Sequence, residues 1–204
     1  MSFANCRSIC PPSSSFRRRR GRLAAIVFAA TVLVAAASAQ AAAAYENPFS
    51  GLQPYVGRTD MGVDLCLSPG DPVRAVGNGV VAGIMRGWSG RQPYLFYRLT
   101  AGVHVGDYIY VAEQITDLAR VGQTVAAGDV IARYAKKGTC IETGWSSPSG
   151  ATLAQATTGY TEGQVTAAGV SFARFLMSLG VEGTFDLVPA HTSRTKPGRK
   201  HRAR

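Results

Sequence analysis

Short apolar runs separated by glycine, proline, asparagine and aspartate are the feature that most constrains the fold of this chain. Between residues 45 and 145 the runs are rich in β-branched and aromatic residues, and they include residues 63–67, 79–84, 94–99, 107–111 and 130–134. Each run has the length of a strand, and the residues between the runs favour turns. The pattern predicts an all-β domain over residues 45–145, built as a single antiparallel β-sheet with a barrel-like or sandwich-like form.

A different pattern follows in the extension of residues 146–187. After a stretch of small and polar residues, apolar residues recur at helical spacing: Val165, Ala168, Phe172, Phe175, Leu176 and Leu179. Thr161 and Gln164 could form a capping box ahead of them, and Gly180 could end the helix. The spacing predicts one amphipathic helix at about residues 162–179. Residues 188–204 are basic and, from Pro189 onward, carry no acidic or large apolar residue, which predicts a disordered tail.

The N-terminal segment has the composition of a secretion signal. Five arginines (Arg17, Arg18, Arg19, Arg20 and Arg22) precede an uncharged apolar stretch over residues 23–37, and small residues follow it. That order predicts a signal peptide over residues 1–41, cleaved near residues 39–44. An uncleaved anchor is the alternative, but a membrane-spanning helix needs about twenty apolar residues, and this stretch is shorter. We therefore expect an extracellular or cell-envelope location.

Charge is concentrated at the two ends of the chain. Of 22 basic residues, six lie in the leader and six lie after Leu187, which leaves ten basic and twelve acidic residues between them. A nucleic-acid-binding domain is expected to carry its basic surface within the fold, so nucleic acid is excluded as a partner class. The basic tail is instead a candidate for contact with anionic wall polymers or lipid head groups.

Four cysteines divide in the same way as the charge. Cys6 and Cys10 belong to the leader, whereas Cys66 and Cys140 remain in the exported protein. An extracellular location permits disulfides, so a single bridge between Cys66 and Cys140 is expected.

Several motifs in the β domain resemble the lysostaphin-type zinc endopeptidases of peptidoglycan. The resemblance begins with Asp60-Met61-Gly62-Val63-Asp64, covers about half of the chain, and continues through residues 68–75, 79–81, 108–115, 121–132 and 141–142. It implies a compact antiparallel β fold with a groove, and peptidoglycan or a cell-wall hydrolase as the partner.

The resemblance fails at the metal ligands, which in this family are a histidine, an aspartate and a second histidine. Only Asp64 matches; Asp60 stands in place of the first histidine, and Gly138-Thr139-Cys140 replaces the closing His-x-His motif. One hypothesis is that Asp60, Asp64 and Cys140 hold zinc as an altered ligand set. The other is that Cys66 and Cys140 bridge across the same place and that the protein has no cofactor and no catalytic residue.

The groove implied by the resemblance has three candidate residues, Trp145, Glu142 and Glu113. Trp145 follows the last motif into a serine-rich loop, Glu142 matches an acidic position of the family, and Glu113 lies near a lost histidine position. Aromatic residues at strand spacing are more often core residues, which applies to Trp88, Trp145, Tyr94, Phe96 and Tyr97. His104 lies in a glycine-bounded turn and is expected to be a solvated loop residue.

Three functional hypotheses follow. The first is an exported cell-envelope protein with a non-catalytic, endopeptidase-like domain that binds cell-wall peptide or regulates a hydrolase. The second is an active metallo-endopeptidase of peptidoglycan with an altered zinc-ligand set. The third is an exported structural domain without a ligand. Fold resemblance cannot choose among them, because function resides in the site.

Overall fold

The structure is a computed structural model that describes residues 44–135 and 140–189. The predicted signal peptide of residues 1–41 lies outside these ranges, as does the predicted tail except for its first two residues. The strands are β1 (Tyr55–Thr59), β2 (Val63–Cys66), β3 (Pro72–Arg74), β4 (Gly79–Trp88), β5 (Gln92–Leu99), β6 (Tyr108–Ala112), β7 (Ile115–Thr116), β8 (Thr124–Val125), β9 (Val130–Tyr134) and β10 (Ile141–Ser146). The helices are α1 (Leu153–Thr157) and α2 (Ala167–Ser178).

The strands form two antiparallel sheets. The larger sheet has seven strands in the order β1-β2-β10-β6-β5-β4-β8, and the smaller has three in the order β3-β9-β7. The all-β prediction is confirmed, but two sheets replace the single one expected. A single sheet would leave one apolar face in water, whereas Val73, Ile115 and Ile131 of the smaller sheet join the core of the larger one.

The main core lies on one face of the larger sheet. Leu65, Leu95, Ile109 and Ile141 are fully buried there. Successive side chains of a strand point to opposite faces, so the residues directly before and after each of these four on its strand lie on the other face of the sheet. Phe172 and Leu176 of α2 are also fully buried in this core. Burying an apolar side chain of this size stabilises the fold by about 1.5 to 3 kcal/mol.

The opposite face of the larger sheet, called the site face here, carries polar and aromatic residues. Asp64, Glu142, Ala112 and Tyr94 are successive cross-strand partners on β2, β10, β6 and β5. Residues directly opposite each other on one face are close enough to interact. The sheet therefore brings a carboxyl pair and an aromatic ring into one row.

The main helix is shorter than predicted. It begins at Ala167, where Thr166 is the N-cap and accepts a hydrogen bond from the backbone of Gly169 at 3.1 Å. Gly163 has a φ of 76°, a left-handed conformation that a helix beginning at residue 162 could not contain. Gly180 ends the helix as predicted, because its N–H and that of Val181 bond to the carbonyls of Met177 and Leu176.

The short helix α1 was not predicted, because its five residues are too few to show periodicity. Thr152 caps it by accepting a hydrogen bond from Gln155 at 3.2 Å. Neither helix of the described residues has the length and apolar character that a bilayer span requires.

Candidate functional site

An arginine lies among carboxylates at the edge of the site face. Nε of Arg58 is 2.9 Å from Oδ2 of Asp60 and 3.3 Å from Oδ2 of Asp64, and Nη1 donates to Oε1 of Glu162 at 2.8 Å. A guanidinium carries five N–H donors in a planar fork, which allows it to serve several carboxylates at once. Arg58 therefore links strand β1, strand β2 and the extension after β10.

Asp60 is completely buried and its carboxylate is fully engaged by protein groups. Oδ1 accepts a hydrogen bond from the N–H of Met61 at 2.6 Å, and Oδ2 accepts one from the hydroxyl of Tyr160 at 2.6 Å in addition to the contact with Arg58. A buried charge is tolerated only when such partners compensate its desolvation. The Asp60 carboxylate therefore holds Met61, Tyr160 and Arg58 together in the interior of the site.

Glu142 lies directly opposite Asp64 across β2 and β10, and it is buried. The hydroxyl of Tyr110 donates a hydrogen bond to Oε1 of Glu142. Burial raises the pKa of Glu142 to about 9, and the nearby charges of Asp60, Asp64 and Glu113 act in the same direction. Glu142 is therefore protonated at neutral pH.

Asp64 is more accessible than Asp60 and Glu142, with a side chain that is 20% exposed. Burial raises its pKa to about 6, even though the positive charge of Arg58 acts in the opposite direction. The two paired carboxyl groups thus differ at neutral pH: Asp64 is mostly ionised and Glu142 is neutral. Asp64 is thus an accessible negative charge next to Glu142, which is buried and carries a proton.

Glu113 and Trp88 form the far side of the site face. Nε1 of Trp88 donates a hydrogen bond to Oε1 of Glu113 at 2.7 Å. Glu113 has a φ of 61° and Gln114 a φ of 50°, a strained left-handed pair of the kind that accumulates at functional sites. Trp88 stacks on Tyr94 with ring centroids 5.3 Å apart, and Tyr94 stacks on Tyr110 at 5.2 Å. An aromatic ladder therefore runs from Glu113 to Glu142.

A cavity of about 310 Å3 adjoins this ladder. Its lining includes Met85, Trp88 and Tyr94 from the sheet and Thr152 and Gln155 from the start of α1. The cavity combines aromatic surface with a few polar groups, as ligand sites generally do.

The structure brings together four of the residues proposed from the sequence. Asp60, Asp64 and Glu142 lie around Arg58 and Tyr110, and Glu113 contacts the same aromatic ladder. These residues come together because β10 pairs with both β2 and β6. The order of the motifs along the sequence did not specify that pairing.

Trp145 lies apart from the other groove candidates, on the core face of the larger sheet. Its side chain is 5% exposed and packs in the core against Phe172 and Phe175, with ring centroids 5.1 and 5.2 Å apart. Trp145 lies three residues after Glu142 on the same strand, so the two side chains point to opposite faces.

The other aromatic residues divide between the two faces. Tyr97 is in the core, where its hydroxyl accepts a hydrogen bond from the N–H of Val76, whereas Trp88, Tyr94 and Phe96 lie on the site face. His104 differs from the solvated residue expected, because its ring packs against Trp145 with centroids 4.8 Å apart.

The predicted disulfide between Cys66 and Cys140 is confirmed. A sulfur bonded to sulfur is no longer a thiolate, so Cys140 in this state is not a zinc ligand.

The residues at the family's metal positions do not fit a zinc ion. Arg58 already supplies the positive charge next to Asp60 and Asp64, and a second cation there would be repelled by it. Within residues 44–135 and 140–189, no group of three or more His, Cys, Asp and Glu residues is arranged to hold a metal ion.

Arg58, Tyr110, Tyr160 and Glu162 are site residues that sequence reasoning missed. Arg58 precedes Asp60 by two residues, so the strand period could have placed both on one face. Tyr160 contacts Asp60, 100 residues earlier, and Glu162 contacts Arg58, 104 residues earlier. No local sequence pattern predicts contacts of this length.

Comparison with known proteins gives structural likeness only. No family model matches the sequence, and no curated protein matches it. The NMR solution structure of lysostaphin has a TM-score of 0.48 and 13% identity, covering 76% of this chain and 63% of that one. The antimicrobial peptidase lysostaphin from Staphylococcus simulans has a TM-score of 0.49 and 13% identity, covering 78% and 63%.

This chain therefore spans less than two thirds of the length of those lysostaphin chains, since 63% of each is covered. At 13% identity and TM-scores of 0.48 and 0.49 the likeness does not establish a function, which has to be inferred from the residues of this chain.

Proposed function

We propose that this protein is an exported, non-catalytic binding protein whose site face holds peptides of peptidoglycan. The observation that carries the proposal is the position of Arg58, 2.9 Å from Asp60 and 3.3 Å from Asp64 at the family's metal-ligand positions. A catalytic zinc needs an open coordination position for the attacking water. A guanidinium holds carboxylates together but provides no such position.

The charge of the site face supports a ligand with an amino group. Arg58, the one cation in the described part of the site, lies among Asp60, Asp64 and Glu162, and Glu113 lies near Asp64. Charge complementarity then favours a cationic ligand group. Trp88 can add a cation–π contact to an ammonium group near Glu113. Wall peptides with a diamino-acid residue offer a charge of this kind on a short, extended chain.

The experiment combines a binding assay with a hydrolysis assay on the secreted protein. We expect it to sediment with insoluble peptidoglycan and to release no soluble fragments, with or without added zinc. Release of fragments that depends on zinc would overturn the non-catalytic proposal in favour of the altered-ligand endopeptidase. Failure to sediment would overturn the binding proposal.

A matched pair of variants locates the binding surface. Glu113→Gln removes a charge but keeps an oxygen that can accept the hydrogen bond from Trp88, and we expect weaker sedimentation. Glu182→Gln makes the same change at an exposed position outside the site face and should bind as the wild type does. Equal loss in both variants would indicate a non-specific charge effect and would contradict binding at the site face.

A further inference from the structure

One edge of strand β4 is paired over only a small part of its length. The other edge pairs with β5 from the beginning of the strand to its end. On the edge away from β5, β8 covers Gly79 and Val80, and Val81 bonds to the loop before β8. In the part of the chain that the structure describes, residues 82–88 have no strand partner on that edge. We call this stretch the open edge of β4.

The backbone of Ile84 points to the open edge. Leu99 of β5 forms hydrogen bonds with Asp107 and Gly106, on the side of β6, and β5 pairs with β6 without a register shift. Because backbone groups alternate between the two edges of a strand, Leu95, four residues before Leu99, also bonds toward β6. Ile84 lies opposite Leu95, so the N–H and C=O of Ile84 are directed away from β5.

The open edge is accessible to another chain. Met85 is 43% exposed, and Arg86 and Gly87 are exposed as well. A Cβ added at Gly87 would have no neighbouring atom within 4 Å, and Gly87 does not have a positive φ. Neither packing nor backbone conformation therefore requires glycine at this position. Glycine inside a strand often marks a place where a ligand or another backbone approaches closely.

The open edge also borders the cavity of about 310 Å3 described above. Met85, Gly87 and Trp88 belong to both, and the rest of the lining comes from Tyr94, the start of α1 and the loop before it. A strand added to β4 would place every second side chain on the site face. A side chain opposite Met85 would then lie at this cavity, whose aromatic walls suit a bulky apolar group.

The charge of the open edge differs from that of the carboxylate cluster around Arg58. Residues 82–88 include one arginine and no acidic residue. They therefore lack the carboxylates that favour the ammonium group of a wall peptide. Unpaired backbone donors and acceptors instead recognise an extended polypeptide, and adjoining side-chain pockets add specificity.

We propose that the open edge of β4 binds an extended segment of a partner protein, which adds a strand to the sheet and places one bulky apolar side chain in the adjoining cavity. The backbone of Ile84 exchanges hydrogen bonds with this segment. The interface uses none of Asp64, Glu113 and Glu162, so this proposal and the binding of wall peptides can fail separately.

Hydrogen exchange at the amide of Ile84, followed by NMR on the mature protein, tests the proposal. The probe is a capped synthetic peptide of alternating threonine and valine with one central phenylalanine. At a peptide concentration of about ten times its Kd, exchange should slow about tenfold, since only the unbound protein exchanges. N-methylation of one alternate set of peptide amides should abolish this protection, whereas N-methylation of the other set should leave it.

Three outcomes of this experiment would overturn the proposal. The first is the absence of protection by the probe, and the second is an equal effect of the two methylated peptides. The third is protection by soluble wall peptides and not by the probe, which would assign the open edge to peptidoglycan.

The variant Gly87→Val tests the position of the bound segment. It places a side chain at the wall of the cavity, where a Cβ meets no other atom of the fold, so the protein should fold and no longer protect Ile84 with the probe. Thr116→Val introduces the same side chain at an exposed position of the smaller sheet and should bind as the wild type does. Circular dichroism checks that both variants are folded.

Unchanged protection in a folded Gly87→Val protein would contradict the proposal, as would equal loss in both variants. Light scattering of the protein without peptide gives a further check. A dimer that Gly87→Val abolishes would assign the open edge to a second copy of this chain and would overturn the proposal.

Discussion

The hydroxyl of Tyr160 donates a hydrogen bond of 2.6 Å to the buried carboxylate of Asp60, which lies 100 residues earlier in the chain. Two residues further on, Glu162 accepts a hydrogen bond from Arg58. The loop between α1 and α2 thereby completes the polar cluster that the β-sheet begins. The extension is part of the site and contributes to its stability.

Replacing Tyr160 with phenylalanine tests this dependence. The change removes a hydrogen bond to a buried charged group, so we expect the free energy of unfolding to fall by about 1.5 to 3 kcal/mol. Urea denaturation measures it. Tyr55→Phe is the matched control, since Tyr55 is 72% exposed and its loss should change stability by no more than about 0.5 kcal/mol. Equal stability of the Tyr160→Phe protein and the wild type would show that the contact contributes nothing.

The raised pKa of Glu142 predicts that the stability of the fold depends on pH. Its pKa rises from 4.5 to about 9 on folding, so between these values the folded protein binds more protons than the unfolded chain. This stabilising contribution is complete below pH 4.5 and is lost as the pH rises toward 9, by at most about 1.4 kcal/mol per pH unit. Glu142→Gln keeps a neutral acceptor for Tyr110 and should remove that loss.

The comparison is best made above the pKa of Asp64, which is about 6, so that Asp64 is mostly ionised throughout. Urea unfolding at pH 6.5, 7.5 and 8.5 should show Glu142→Gln gaining stability relative to the wild type at each step (about 1 pH unit apart). Glu182→Gln should follow the wild type throughout. Parallel curves for Glu142→Gln and the wild type would mean that Glu142 is ionised in the folded protein.

The Cys66–Cys140 bridge should stabilise the fold through the unfolded chain. Its cysteines are 74 residues apart, and closing a loop of that length contributes about 4 kcal/mol when the geometry is unstrained. Cys66→Ser should lower the free energy of unfolding by up to this amount. Reduction of the bridge in the wild-type protein should lower it by the same amount. Thiol titration of the mature, denatured protein should find no reactive cysteine before reduction. Two reactive thiols together with co-purifying zinc would contradict the bridge.

Export predicts that the leader is absent from the secreted protein. The uncharged stretch over residues 23–37, with small residues after it, indicates cleavage near residues 39–44. Intact-mass measurement of protein from the culture medium or envelope should give a chain that begins there. A product that still begins at Met1 would favour the uncleaved anchor.

Much of the fold followed from local patterns. The run at residues 94–99 lies within β5, and Gly180 ends α2, because strand length and a glycine C-cap depend on a few neighbouring residues. The start of α2 did not follow, since Thr161 and Thr166 both resemble caps and the left-handed Gly163 decides between them. The face of Trp145 could have been inferred from its odd spacing to Glu142, once Glu142 was assigned to the site.

The sequence by itself predicted the all-β class, the pairing of Cys66 with Cys140 and the absence of the histidine ligands of lysostaphin-type endopeptidases, because each depends on residue identity or short-range spacing. Tertiary structure alone decided that Arg58 holds Asp60 and Asp64, that Tyr160 reaches Asp60, and that His104 lies beside Trp145. The contacts of Tyr160 and His104 join residues far apart in the chain, and the contact of Arg58 with Asp64 crosses from β1 to β2. Their geometry depends on strand register and on how the helices cover the sheet, and neither is encoded in any short stretch of sequence.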